Sequence, residues 1–232
     1  MSEPADELGR VWRVGRREAP LAFVPTARRS WSHRFDDLHR RFGTLYCALL
    51  PETALREVLA DLRPNAAAIA RYIRIHGSDA AGDVPSAPVT AAWRQRHVLA
   101  PARLELDGPL VDLTDVVVRR ELELHHAALI AEHGLAHLDL HEITSSRRSC
   151  HADDRQRCPR PAPRRRDPVR VAAGRPGLPC YALFEGRARL RGDGEPVALT
   201  DPTPEPLQNV SAAWQLALEP TPAPAATPPD SR

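Results

Sequence analysis

The stretch that decides the fold is FGTLYCALLPETALREVLADLRP at residues 42–64, because its apolar period changes within one short run. Residues 44–50, TLYCALL, form a compact apolar run that predicts a buried strand. Residues 51–62 predict a helix whose apolar stripe faces a core, since four residues recur at three- and four-residue spacing: Leu55, Val58, Leu59 and Leu62. Glu57 lies inside this helix, at the edge of the stripe. A strand leading directly into an amphipathic helix is therefore the unit around which the fold is predicted.

Further elements on both sides of this unit mix strands and helices in irregular order. Strands are predicted at 11–14 (VWRV), at two places in 98–113 around Asp107-Gly108, and late in the chain at 182–190 (ALFEGRARL). Helices are predicted at 66–73 (AAAIARYI) and 117–134. This order favours an α+β domain over a doubly wound sheet, and neither a GxGxxG nor a GxxxxGK[ST] loop occurs.

The domain organisation follows from the length of 232 residues, which suits one well-buried core. We predict an N-terminal extension at 1–10, one domain at 11–200, and a C-terminal extension at 201–232. From Glu219 onward the Pro/Ala composition predicts a disordered tail.

The charge and cysteine content exclude several classes of protein. The net charge is only +2 and all 32 basic residues are arginine, so nothing indicates nucleic-acid binding. No run of eighteen apolar residues occurs and the N-terminus lacks a signal pattern, so we expect a cytoplasmic protein without a membrane span. Reduced thiols are expected for all four cysteines, and no zinc site is predicted because Cys150, His151 and Cys158 are irregularly spaced.

Four motifs occur in order along the chain: VWRV at 11–14, SHRFDD at 32–37, the 42–64 stretch, and PCYALFEG at 179–186. Together they resemble the RES domain, a family named for Arg, Glu and Ser, over roughly residues 10–147 and 177–200. The resemblance implies an ADP-ribosyltransferase-like fold that takes NAD as a substrate, not as a cofactor. It implies cleavage of the nicotinamide–ribose bond, with water or inorganic phosphate as acceptor. Several members are toxins with a helix-turn-helix antitoxin, which makes such a protein the expected partner; a homodimer is left open.

The same resemblance assigns roles to four residues. Cleavage of an N-glycosidic bond passes through a cationic ribose, which a fixed carboxylate stabilises, and the resemblance gives this role to Glu57. It places Arg34 and Arg13 against the pyrophosphate or an acceptor phosphate, which suits the planar guanidinium, and Tyr46 against the nicotinamide–ribose end. Arg34 and Tyr46 are thus expected to take part in both binding and catalysis. We expect all four to converge on one cleft, with Arg13 approaching from the first strand.

Without the motif, these residues would have ordinary interpretations. Glu57 would be a helix-surface acid, the two arginines would be solvated, and Tyr46 would belong to a strand core. The histidines that look clustered are interpreted as surface or structural residues, because they fall on different helical faces or in the following loop: His125, His126, His133, His137 and His141.

Residues 148–176 do not fit the family. The resemblance implies a strand there with the family serine, in a context such as RYxSRLDG, but no serine occurs between Ser149 and PCYALFEG. Codons for residues 167–175 can be chosen so that reading one base later gives TRYGSRLD, with the serine overlapping Val171. We favour paired compensating frameshifts over the alternative, a divergent member whose arginine-rich insert has a new role. Residues 148–176 are predicted to be irregular and poorly packed.

Two other functions stay open beside NAD cleavage. A chain that lacks the family serine is expected to consume NAD slowly or not at all, because misplacement by about 1 Å can cost roughly 10²-fold in rate. One alternative is therefore a catalytically impaired module that binds NAD or a nucleotide. The other is an interaction protein whose arginine-rich residues 155–170 bind an acidic partner.

Overall fold

The computed structural model describes residues 9–30, 35–37, 40–64, 66–79, 84–107, 110–132, 136–138, 171–172 and 180–222. The strands in these ranges are β1 (Arg10–Arg16), β2 (Thr44–Ala48), β3 (His97–Leu106), β4 (Val111–Asp112), β5 (Val171–Ala172), β6 (Cys180–Phe184), β7 (Ala188–Gly192) and β8 (Val197–Ala198). The α-helices are α1 (Pro51–Leu59), α2 (Ala66–His76), α3 (Ala91–Arg96), α4 (Val116–Glu132) and α5 (Glu205–Trp214). The mixture of strands and helices in irregular order confirms the predicted α+β class.

The strands form one sheet in the order β4-β5-β6-β2-β1-β3-β7, with β8 also pairing with β3. Neighbouring strands are antiparallel except for the short β4–β5 pair, which is parallel. β1 pairs with β3 along its whole length, and β2 pairs with β6 along its whole length. The two strands that carry Arg13 and Tyr46 therefore lie in the middle of the sheet.

Both faces of the sheet are covered. Successive strand residues point to opposite faces. On the helix face, to which Val14, Tyr46 and Ala48 point, Val14 and Ala48 pack against α1 and α5 in a cluster that also includes Leu55 and Val210. The loop face, defined by Val11, Arg13 and Cys47, packs against the segment after β1 through Leu21 and Phe23. The two faces of the sheet therefore have different neighbours.

The structure corrects three details of the predicted elements. The helix predicted at 51–62 ends as an α-helix at Leu59 and continues as a 3-10 turn, Ala60–Leu62. Val58, expected in the core, is 42% exposed. The single late strand predicted at 182–190 is two strands, β6 and β7, joined by a turn in which Gly186 has a φ of 80°. A positive φ is easily adopted by glycine, which lets the chain reverse there.

The C-terminal region is more ordered than its composition indicates. Leu207 and Val210 of α5 are fully buried, and the spacing of these residues and Trp214 is helical. Thr221 is buried and hydrogen-bonded to Asp201. The prediction of a disordered tail from Glu219 onward is therefore wrong for residues 219–222. Residues 223–232 lie outside the described part of the chain.

Most of the 148–176 stretch also lies outside the described residues. Its two described residues form the two-residue strand β5, and the prediction of irregular structure for the rest of the stretch stays a prediction. β5 pairs with β4 on one side and β6 on the other, at Val111↔Val171 and Val171↔Ala182. Backbone hydrogen bonding to two neighbours can define a strand even where the sequence has no apolar alternation.

At Gly15, the segment after β1 packs closely on the sheet. A Cβ atom at this position would lie 2.1 Å from the carbonyl oxygen of Pro20. We expect Gly15→Ala to lower the free energy of unfolding by about 1–3 kcal/mol, because the backbone must shift to relieve the overlap. Urea denaturation measures this, with Gly192→Ala as the control, since its Cβ would meet only Leu21 at 3.8 Å. Equal stability of the two variants would contradict the close approach.

Candidate active site

Helix α1 begins directly after β2 and presents Glu57 on its exposed side. Pro51 occupies the first turn, where the lack of an N–H costs nothing, and Glu52 is favourably placed near the positive end of the helix. The buried side of α1 consists of Ala54, Leu55 and Leu59. Glu57 therefore lies beside the packed face without being buried in it.

A small pocket forms where α1 meets the helix face of the sheet. Its lining residues are Val14, Tyr46, Cys47, Ala54, Glu57, Val58 and Cys180. The cavity volume is about 10 Å³, which is room for about one water molecule. The pocket thus brings Tyr46 and Glu57 together, although they come from a strand and a helix.

Tyr46 is fixed by neighbours on the same face of the sheet. It is half-buried and packs against a cluster that contains Ala182 and Phe184 of β6. The ring of Phe35 lies 6.5 Å from the ring of Tyr46, centre to centre. The aromatic ring consequently has a defined position beside the pocket.

The carboxylate of Glu57 is exposed, and no hydrogen bond or ion pair joins it to another of the described residues. Its neighbour Val58 is also exposed, which leaves an acidic and an apolar side chain side by side at the pocket rim. The carboxylate is therefore available to a ligand.

Arg13 is not among the residues that line this pocket, and its approach to a cleft shared with Glu57 stays a prediction. It lies on the loop face, where its guanidinium donates to the carbonyl oxygen of Pro20. Burial lowers the pKa of Arg13 to about 10, an effect that Cys47 partly offsets. Burial likewise raises the pKa of Cys47 to about 12, and the charge of Arg13 lowers it in part. At neutral pH, Arg13 is a buried cation that ties the segment after β1 to the sheet.

Arg34 lies outside the described residues, but the segments on either side of it are anchored near β2. The carbonyl oxygen of Phe35 accepts a hydrogen bond of 2.8 Å from the Thr44 hydroxyl at the start of β2. On the other side, the Arg29 guanidinium donates to Glu185 at 2.7 Å, and the same carboxylate accepts the Gly43 amide at 2.9 Å. The two residues that hold these anchors, Gly43 and Thr44, lie three and two residues before Tyr46 in sequence.

The histidines show no common site among the described residues. His125 is exposed and contacts the carbonyl oxygen of Glu121, while His137 lies 3.6 Å from Glu123. His133 and His141 fall outside the described ranges. Within those ranges, no group of three or more His, Cys, Asp or Glu residues could hold a metal ion.

A comparison with family models matches residues 10–201 to the RES domain. The chain belongs to the RES family. The match covers most of this RES protein, including the pocket and all four residues carried over from the resemblance, and it ends before α5. Neither the curated proteins nor the solved structures compared with it gave a significant match. Among the described residues, no helix is both long and apolar enough to cross a bilayer.

Five of the seven pocket residues were not predicted for the site in this RES protein: Val14, Cys47, Ala54, Val58 and Cys180. All of them lie within quoted motifs, namely VWRV, the 42–64 stretch and PCYALFEG, but nothing in those motifs distinguishes a pocket wall from core. Strand alternation separates Val14 from Arg13, and it is the signal that assigns the arginine to the other face.

Proposed function

We propose that this RES-family protein cleaves the nicotinamide–ribose bond of NAD at the pocket formed by Tyr46 and Glu57. The observation that carries the proposal is that these two residues meet at one pocket, with the Glu57 carboxylate unpaired among the described residues. The proposal also includes a single ADP-ribosyltransferase-like domain, a cytoplasmic location, and a role as the toxin of a toxin–antitoxin pair or as a solitary relative. A helix-turn-helix antitoxin is the partner proposed.

The chemistry requires a negative charge close to the ribose. As the bond between C1 of the ribose and the nicotinamide nitrogen breaks, its electron pair leaves with nicotinamide and positive charge develops on the ribose. The carboxylate of Glu57 would stabilise this charge more in the transition state than in the ground state. Water then gives ADP-ribose and a proton, whereas inorganic phosphate gives ADP-ribose 1-phosphate.

The size of the pocket indicates how NAD would lie. A cavity of about 10 Å³ is too small for nicotinamide, so the ribose would lie across its mouth, against Glu57 and Val58. Tyr46 would contact the nicotinamide–ribose end, and Arg34 is proposed for the pyrophosphate. A ligand covering the mouth would also exclude water from the carboxylate, which strengthens its electrostatic effect.

A catalytically impaired NAD-binding module is the second candidate, and two observations favour it. Arg13 faces away from the pocket, and position 171, where the displaced reading frame puts the family serine, is valine in this chain. Binding through the arginine-rich residues 155–170 stays a prediction, since they lie outside the described part.

The test is incubation of the purified chain with NAD in phosphate and in phosphate-free buffer, with all products separated by chromatography. Cleavage is expected to release nicotinamide together with ADP-ribose, or with ADP-ribose 1-phosphate when phosphate is the acceptor. Saturable binding by calorimetry without loss of NAD would support the impaired module. If the chain neither binds nor cleaves NAD, both candidates are contradicted.

A further inference from the structure

The buried core continues beyond the end of the RES match at residue 201. Leu207 and Val210 of α5 and Leu216 after it are buried in the same cluster as Leu55 and Leu59 of α1. Helix α1 therefore packs against both the sheet and α5.

Helix α5 contacts the first turn of α1 and the residue that follows the 3-10 turn after α1. Near the start, the Asn209 side-chain amide lies 3.5 Å from the carboxylate of Glu52. After the 3-10 turn that follows α1, the guanidinium of Arg63 lies 4.3 Å from the ring centre of Trp214. Because these contacts bracket Glu57 along the sequence, a displacement of α5 would be transmitted to the helix that carries the proposed catalytic carboxylate.

Arg94 connects the chain before α5 with the chain after it. Its side chain is only 1% exposed, and its Nε donates to the carbonyl oxygen of Leu199 at 2.8 Å. Nη2 donates to Asp201 at 2.6 Å and to the Thr203 hydroxyl at 2.7 Å. Nη1 donates to the carbonyl oxygen of Glu219 at 2.5 Å. One buried guanidinium thus joins both ends of the segment that contains α5.

A second connection joins the same two ends. The amide and the hydroxyl of Thr221 donate to Asp201 Oδ2 at 2.7 and 3.0 Å, and the Asp201 amide donates to the Thr221 hydroxyl at 2.8 Å. Hydrogen bonds from Arg94, Thr203 and Thr221 hold the pKa of Asp201 well below its usual range. The carboxylate is therefore ionised at neutral pH, as the buried Arg94 cation requires.

We propose that residues 199–222 form a C-terminal clasp, closed by Arg94, Asp201 and Thr221, which fixes α1 and thereby the position of Glu57. Arg94 is then a positioning residue. Its link to catalysis rests on the function proposed above for Glu57. The mechanical part, that the clasp holds α1, stands on the packing and hydrogen bonds alone.

Hydrogen exchange of backbone amides in the full-length protein tests the clasp without needing activity. Thr221→Val removes the hydroxyl from the clasp and keeps the backbone amide that donates to Asp201. The matched control is Ser211→Ala, which removes a buried hydroxyl of α5 that, among the described residues, donates only to the carbonyl oxygen of Leu207 in the same helix. A second variant, Arg94→Lys, keeps the charge but cannot donate in the directions of all four acceptors.

In Thr221→Val and Arg94→Lys, amides of α1 and α5 are expected to exchange about ten- to a hundredfold faster, while β1 and β3 change by less than about twofold. The clasp would be overturned if amide exchange became faster only after residue 199. It would also be overturned if exchange were accelerated equally in all elements, or not accelerated at all. If NAD cleavage is established, kcat is expected to fall in both variants with little change in KM. Failure to cleave NAD would overturn the proposed function and leave the exchange result decisive for the clasp.

Discussion

Val171→Ser is expected to raise the rate of NAD cleavage by about ten- to a hundredfold, the range that correct positioning of a reacting group can contribute. Position 171 in β5 is in register with Ala182 of β6, and Ala182 is in register with Tyr46 of β2. Positions 171, 182 and 46 therefore form one row across three strands. One end of the row is the position where the displaced reading frame puts the family serine, and the other end is a residue of the pocket. The measurement is the initial rate of NAD loss at saturating and subsaturating NAD.

Ala172→Ser is the matched control for this gain. It introduces the same side chain one position along β5, in register with Tyr181, and successive strand positions alternate between faces. We expect no gain in that variant. An equal gain in both variants would show that a serine in this row has no specific role.

The second large effect is expected from Glu57→Gln in the Val171→Ser background, where the rate of NAD cleavage should fall by about 10²- to 10³-fold. Glutamine keeps the size and the hydrogen-bonding capacity of the side chain but removes the charge that meets the cationic ribose. The loss should appear in kcat, with KM for NAD changed little, because the charge matters most in the transition state.

Glu195→Gln provides the corresponding control, since it makes the same change at an exposed carboxylate that does not line the pocket. Its rate should stay within about twofold of the parent, as expected for a surface change remote from the site. A comparable loss in both variants would assign the effect to net charge and not to Glu57.

The parts of the fold predicted from sequence are those with a local signal. The 42–64 stretch predicts β2 and the start of α1 correctly, because its apolar spacing changes from a continuous run to a helical period at Pro51. The end of α1 was predicted three residues too late, since Leu62 continues the apolar spacing although the backbone has tightened into a 3-10 turn. Helix α5 was missed, although Leu207, Val210 and Trp214 have helical spacing.

The site is predictable only where the motif and the geometry coincide. Tyr46 and Glu57 are close in sequence and meet where β2 leads into α1. Arg13 comes from a motif at the right place in the chain, but strand alternation puts its side chain on the other face. The connection between Arg94 and Asp201 joins residues 107 positions apart, so no local pattern could indicate it.

Release of nicotinamide from NAD, followed by chromatography over time, tests the central claim most directly. The measurement compares the unaltered chain, Val171→Ser, and the double variant Val171→Ser with Glu57→Gln. We predict slow release by the unaltered chain, rapid release by Val171→Ser in step with the loss of NAD, and almost none by the double variant. Undiminished release by the double variant, or intact NAD after incubation with Val171→Ser, would contradict cleavage at the Glu57 pocket.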